Sequence, residues 1–133
     1  MKMRALTVGH KKKLKEIAAY LAKNGSYASD VIPPAYPCDR ERLVVICVAV
    51  SKVMPDSFRR FCMELSKEKA QNVALIACGS AENANMVADW IRGAGTNFVD
   101  DILFVKCGLF GGMKADDQKT VEEWYQNVLK KLS

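Results

Sequence analysis

Three short stretches of this chain carry residues whose types and spacing could do chemistry. The first is Gly9-His10-Lys11-Lys12-Lys13, which follows an apolar segment and opens an amphipathic one. A helix that starts there presents unpaired N–H groups and the positive end of its macrodipole, which attract an anion such as phosphate. Lysine ammonium groups would act on that anion as point charges. The competing reading is a solvated charge run, although lysine is electrostatically unfavourable at a helix start. The second stretch is Ser51-Lys52-Val53-Met54-Pro55, directly after the apolar run Leu43–Val50. Such a loop is either a binding wall or an ordinary strand-to-helix connection. The third is Cys78-Gly79-Ser80-Ala81, where Gly79 permits close backbone approach and exposed N–H groups. Ser80 reads equally well as a helix N-cap, and the two readings are compatible.

Other reactive side chains are sparse. His10 is the one histidine, so it has no histidine partner for a metal and no motif partner for nucleophilic catalysis. It reads as a turn residue touching a ligand phosphate or solvent, in preference to a general acid or base. The five cysteines, Cys38, Cys47, Cys62, Cys78 and Cys107, are far apart in sequence. They form neither a disulfide framework nor a CxxC metal knuckle. A free thiol within an apolar run packs as a small hydrophobe. Cys78 and Cys107 should end adjacent strands, where a thiol role competes with a structural one. Paired carboxylates, zinc-ligand spacing and a nucleophile elbow are lacking, which argues against a self-contained hydrolase.

Composition narrows the class. The 133 residues, half of them hydrophobic and 26% charged, predict one globular domain over 1–133. The net charge is +5 and the isoelectric point is near 9.0. The lysines are spread over helices and no aromatics interleave with a basic stripe, so nucleic acid is not the expected partner. An acidic protein or a phosphate-bearing cofactor would use the same charge. The run Leu43–Val50 is far shorter than the about 20 residues needed to cross a bilayer. The first residues have no apolar core or small-residue cleavage site of a signal peptide. With reduced cysteines, a cytoplasmic protein without membrane association is expected.

The elements that must position these stretches follow from periodicity. Met3–Val8 predicts a first strand. Leu14, Ile17, Ala18 and Leu21 form one helical face, with Asn24-Gly25 as its stop. Ser29–Ile32 predicts a brief second strand. Pro33-Pro34-Ala35-Tyr36-Pro37 cannot be helical. Leu43–Val50 is apolar without alternation, as in a strand covered on both faces. Pro55 should begin a helix facing inward with Phe58, Phe61, Cys62 and Leu65. Asn72–Cys78 predicts a further strand. Ala84, Val87, Ala88 and Ile91 mark a third helix ending at Gly93-Ala94-Gly95. Ile102–Lys106 predicts the last strand. Thr120-Val-Glu-Glu123 resembles a capping box, with Asp116 or Asp117 as alternative starts of a last helix carrying Val121, Trp124, Tyr125, Val128 and Leu132.

This order, β-α-β-β-α-β-α-β-α, predicts a three-layer, doubly wound parallel five-stranded α/β sheet. Crossovers in such sheets are right-handed, and five strands favour the order 2-1-3-4-5. The usual second helix is missing, replaced by the extended proline-rich crossover. The crevice then lies between Gly9–Lys13 and Ser51–Pro55, with Gly79-Ser80 beside it.

Over nearly its whole length the chain resembles a short, divergent single-domain flavodoxin. Val105-Lys-Cys-Gly-Leu-Phe110 is similar to the end of the last flavodoxin strand. Leu43–Val50, its loop and a proline-started helix are similar to the third strand and its flavin-contacting loop. The resemblance implies flavin mononucleotide (FMN), held non-covalently, and one-electron transfer between larger redox proteins. It implies that Gly9, His10, Lys11, Lys12 and Lys13 receive the phosphate. Ser51, Lys52, Val53 and Met54 would form one wall of the flavin site, Met54 as a soft apolar surface. Cys78, Gly79 and Ser80 would offer N–H groups to the pyrimidine edge. Small flavodoxin-like proteins that accompany larger reductases of anaerobes, bilirubin reductase among them, suggest a reductase partner.

The chain departs from the family in three ways. The phosphate loop of form T/S-x-T-G-x-T is replaced by a shorter one without hydroxyls. Val53 and Met54 stand where an aromatic usually stacks on the flavin. The net charge is basic, whereas flavodoxins are typically acidic. The alternative is therefore a cofactor-free flavodoxin-like module that supports a partner protein. A response-regulator receiver is discarded, because Gly9-His10 and Ser51-Lys52 occupy the places of its acidic residues.

Overall fold

The unbroken apolar run is the middle of a parallel sheet. The computed structural model describes residues 2–23, 30–108 and 111–133. Strand β1 (Met3–Val8), helix α1 (Lys12–Ala22) and strand β2 (Asp30–Val31) are followed by the central strand β3 (Glu41–Ala49). Helix α2 (Asp56–Met63), strand β4 (Ala70–Cys78) and helix α3 (Ala81–Gly93) come next. Two short strands, β5 (Asn97–Phe98) and β6 (Leu103–Phe104), precede helix α4 (Ala115–Leu129). Strand β3 pairs with β1 from Met3↔Leu43 to Val8↔Val48 and with β4 from Glu41↔Ala70 to Ala49↔Cys78.

Successive side chains of a strand point to opposite faces, so β3 feeds two cores. Val44, Ile46 and Val48 pack with Phe58, Cys62, Val87 and Ile91 under α2 and α3. Leu43, Val45 and Cys47 pack with Leu14, Ile17, Val121 and Trp124 under α1 and α4. Both faces are thus covered, which is why the run shows no alternation. The helical faces read from sequence are the buried ones, save that Phe61 is half-buried, Leu65 lies just past the end of α2, and Leu132 is half-buried beyond the end of α4. Between β2 and β3 the chain forms no helix, as its prolines dictate.

The sheet order is β2-β1-β3-β4-β5, with β6 also on β4. This is the expected 2-1-3-4-5 order with one correction: the fifth position is split. Strand β5 pairs with Asn72 and Val73, and β6 pairs with Ile76 and Ala77. Between them, Asp100 and Asp101 leave the ladder. Asp100 reaches Arg92 at 3.4 Å, and Asp101 reaches Lys131 at 3.1 Å. The Asp101 carbonyl accepts from the Trp124 indole at 2.7 Å. The expected strand Ile102–Lys106 is therefore shortened, because side chains of α3 and the carboxyl-terminal region hold the interruption open.

Helix starts are corrected too. Pro55 is the N-cap of α2, one residue before the helix. Helix α4 begins at Ala115, where Asp117 Oδ2 accepts from the Lys114 N–H at 2.9 Å. Thr120 is interior, its hydroxyl donating to the Asp116 carbonyl at 3.0 Å. The stop at Asn24-Gly25, Ser29 of the second strand, and Leu109-Phe110 lie outside the described residues.

Polar groups fix the amino end of the sheet. Asn72 is fully buried. Its side-chain amide donates to the Arg42 carbonyl at 2.9 Å, and its oxygen accepts from Asn97 Nδ2 at 2.7 Å and the Ser133 N–H at 2.9 Å. One side chain thus joins β3, β4, β5 and the carboxyl terminus. Glu41 is also buried there, 3.8 Å from Lys2 Nζ.

Candidate functional site at the carboxyl edge of the sheet

The candidate site is built from the turns that leave β1, β3 and β4. Gly9 follows β1 with φ +86°, a left-handed conformation that glycine adopts without strain. His10 is exposed. Lys11 is the N-cap of α1 and makes no side-chain capping bond, and the first turn holds no acidic residue. The leading N–H groups of α1 therefore lack the side-chain acceptor that usually satisfies them.

The three lysines do not converge. Lys12 Nζ lies 3.8 Å from Glu16 on the outer face of α1. Lys13 is 11% exposed and is drawn to the amino end of α4, 3.1 Å from Asp117 Oδ1. Its ammonium also donates to the Lys106 carbonyl at 2.7 Å. The Lys114 N–H, followed by the Lys13 ammonium, holds the Asp117 carboxyl below its ordinary pKa. Lys11 is half-buried beside Cys107, where its charge acts on the thiol.

A second tie joins α1 to the chain before α4. The Met113 N–H donates to Glu16 Oε2 at 2.6 Å. A Cβ on Gly112 would stand 2.7 Å from the same carboxylate. Sequence reasoning missed both ties. The signal available was Gly111-Gly112 ahead of the last helix, which reads as a chain break until its neighbour is known. Lys13, Lys106, Gly108, Gly111, Lys114 and Asp117 line a cavity of about 320 Å³ at this corner. Of the expected site residues, Lys13 alone lines that cavity.

The loop after β3 folds on itself. The Ser51 hydroxyl donates to the Val53 carbonyl at 2.7 Å, and the Ser51 N–H points at Met54 Sδ at 3.3 Å. Met54 is thereby half-buried against the core, whereas Val53 is 83% exposed and Lys52 is exposed. The apolar surface offered at this loop is Val53 more than Met54.

At the end of β4, Gly79 has φ +137° and a further reason to be glycine. A Cβ there would meet Val50 Cγ2 and the Val50 carbonyl at 2.7 Å. Its smallness thus serves the approach of the β3 and β4 ends. Ser80 caps α3, accepting from the Asn83 N–H at 3.2 Å. Cys78 and Cys107 lie together on the α1–α4 side, both half-buried. Burial, reinforced by the neighbouring thiol, pushes Cys107 up to about 12. Among the described residues no group of three or more metal-ligating side chains comes together. No helix among them is long and apolar enough to cross a membrane.

Sheet order and covering helices define a doubly wound α/β protein, a class in which ligands bind beyond the carboxyl ends of the strands. Among solved structures this fold is flavodoxin-like. The chain superposes on oxidised Flavodoxin 1 from Bacillus cereus with TM-score 0.69 and 14% identity, covering all of both chains. A short-chain flavodoxin associated with a non-canonical PDU bacterial microcompartment gives TM-score 0.71 and 12% identity, again with 100% of each chain covered. A flavodoxin of Streptococcus pneumonia gives TM-score 0.65 and 14% identity, over 99% of this chain and 100% of that one. No protein-family model and no curated protein matches the chain.

Proposed function

We propose that the protein binds FMN at the switch point and carries electrons to or from a larger redox protein. One observation carries this reading: the left-handed turn at Gly9 leads into an uncapped helix start at the carboxyl edge of a flavodoxin-like sheet. Backbone N–H groups in that position suit a phosphate, with Lys11 and His10 beside them. They replace the hydroxyls that the first loop lacks. Val53 would cover one side of the ring, and the turn Cys78-Gly79-Ser80 would meet its polar edge. Bound FMN would supply the electron chemistry. The chain's part is to hold the phosphate, orient the ring and keep water from one face of it.

The partner is a larger reductase, of which a bilirubin-reductase-type enzyme is one case. The net charge of +5 suits an acidic docking face on it. Reduced thiols point to the cytoplasm as the working compartment.

Titration of FMN and riboflavin against flavin fluorescence tests the reading. FMN should bind the more tightly, because riboflavin has no phosphate for α1. Equal affinities, or no binding of either at high micromolar concentration, would remove it. A second reading, a cofactor-free module that supports a partner protein, rests on Lys13 and Met54. Both are already satisfied within the chain, by Asp117 and by the Ser51 N–H. A folded protein that binds neither flavin would favour this second reading.

A further inference from the structure

We propose that Cys78 and Cys107 form a dithiol–disulfide couple that exchanges with low-molecular-weight disulfides. The inference stands apart from the flavin reading and needs no bound cofactor.

Exposure divides the five cysteines. Cys38, Cys47 and Cys62 are at most 5% exposed, sealed within the two cores. Cys78 and Cys107 are only partly buried, at the carboxyl edge. Topology brings these two together. Strands β4 and β6 run parallel, with Ile76 opposite Leu103 and Ala77 opposite Phe104. The Val105 N–H continues the ladder to the Ala77 carbonyl at 2.9 Å. Side chains alternate along a strand, so Cys78 and the 103, 105 and 107 positions share the α1–α4 side. Leu103, Val105, Cys107 and Cys78 all pack against that core, so the two thiols are neighbours on one side of the sheet.

A disulfide needs its Cα atoms roughly 4.4–6.8 Å apart; the register sets Val105 opposite Cys78 and Cys107 two residues beyond, so closing the bond requires the Cys107 segment to move. Cys107 lies in residues 105–108, which belong to no helix or strand, and Gly108 follows it. Closure therefore displaces a connecting segment and leaves the β3–β4 ladder intact. The ammonium groups of Lys13 and Lys11 favour the Cys107 thiolate, while burial opposes it. Cys78 is fixed at the end of β4 while Cys107 lies in the connecting segment that can move onto it, so Cys78 is the entering nucleophile and Cys107 resolves.

The electrons balance as follows. Cys78 gives its proton to solvent, and its thiolate attacks one sulfur of the external disulfide. That S–S bond breaks and one thiolate leaves with the electron pair. Cys107 then loses its proton and attacks the Cys78 sulfur, expelling the second thiolate. Two protein thiols are oxidised by two electrons while the external disulfide is reduced to two thiols. Excess thiol reverses the sequence. The product would tie the end of β4 to the segment whose Lys106 carbonyl receives Lys13, and so brace the floor of the crevice.

The test uses the full chain, oxidised glutathione and mass spectrometry after alkylation of remaining thiols. The expected product is lighter by two hydrogens, with Cys78 and Cys107 peptides linked, an unchanged circular dichroism spectrum, and full reversal by dithiothreitol. Cys107→Ser should stall with one glutathione on Cys78. Cys78→Ser should react about tenfold more slowly, at Cys107. A parent chain that never forms the linked peptide, or forms one through Cys38, Cys47 or Cys62, overturns the proposal. Equal reaction of the two variants overturns the assigned order of attack. Should either serine variant lose its fold, the linked peptide of the parent decides alone.

Discussion

Glu41 is where a single residue works against the fold. Its carboxyl is 3% exposed, and its Oε2 has no hydrogen-bond partner. Burial raises its pKa, and the ammonium of Lys2 offsets this only in part. A folded pKa above the unfolded one means that the folded state holds the proton more tightly. Any stability this group contributes is present below the unfolded pKa and lost as pH rises through the folded value. At neutral pH the carboxylate is therefore a cost. Glu41→Gln should stabilise the protein at pH 7 by about 1 kcal/mol, the scale of a buried unsatisfied polar group. Thermal melts should show that advantage shrinking as pH falls to about 4. A variant that melts below the parent at pH 7 would mean that the Lys2 pair outweighs desolvation.

At the scale of elements, β3 is the decisive one. Val45 faces α1 and α4, Ile46 faces α2 and α3, and both are fully buried. Val45→Asp and Ile46→Asp should each unfold the domain, because neither core offers a partner for an isolated carboxylate. Circular dichroism melts check this, and variants that melt like the parent would contradict two-sided burial. The run was legible as a two-sided strand because every residue in it is apolar. The edge was less so. Asn97-Phe98 is too short to carry periodicity, and Asp100-Asp101 stand just before the expected strand Ile102–Lys106. What holds that break open is Arg92, Trp124 and Lys131, none of which is local to it.

For the whole molecule, the question is how a basic chain would use its charge at the crevice. Lys12 and Lys13 are already paired with Glu16 and Asp117, which leaves Lys11 nearest the open helix start. If these charges aid an FMN phosphate, each should contribute roughly 0.5–1 kcal/mol at a helix end. Replacing Lys11, Lys12 and Lys13 together with Gln should weaken FMN binding about tenfold. Exposed charges are screened over about 10 Å at 0.1 M salt. The parent's affinity should accordingly fall as salt rises, and the variant's should not. Fluorescence titration at several salt concentrations measures both. Unchanged affinity and salt dependence would assign these lysines to the fold and to partner docking.

The sequence by itself determined the first four strands, the helical faces and the order of the sheet. Each rests on a local signal: an unbroken apolar run, a repeat of three and four, a proline-rich crossover, and the limited number of ways to wind five strands. It also placed Gly9, Ser51 and Gly79 at the strand ends. Tertiary structure decided what those turns do. Lys13 turns away from the crevice because Asp117, distant in sequence, lies beside it. Gly79 is small because Val50 approaches, and Met54 turns inward because the Ser51 N–H meets its sulfur. Glu41, Asn72 and Gly112 are buried or crowded by segments far along the chain. Periodicity reports which side of an element is apolar, but a charge or a hydrogen-bonding group is directed by its partner, and partners are chosen only when the layers close.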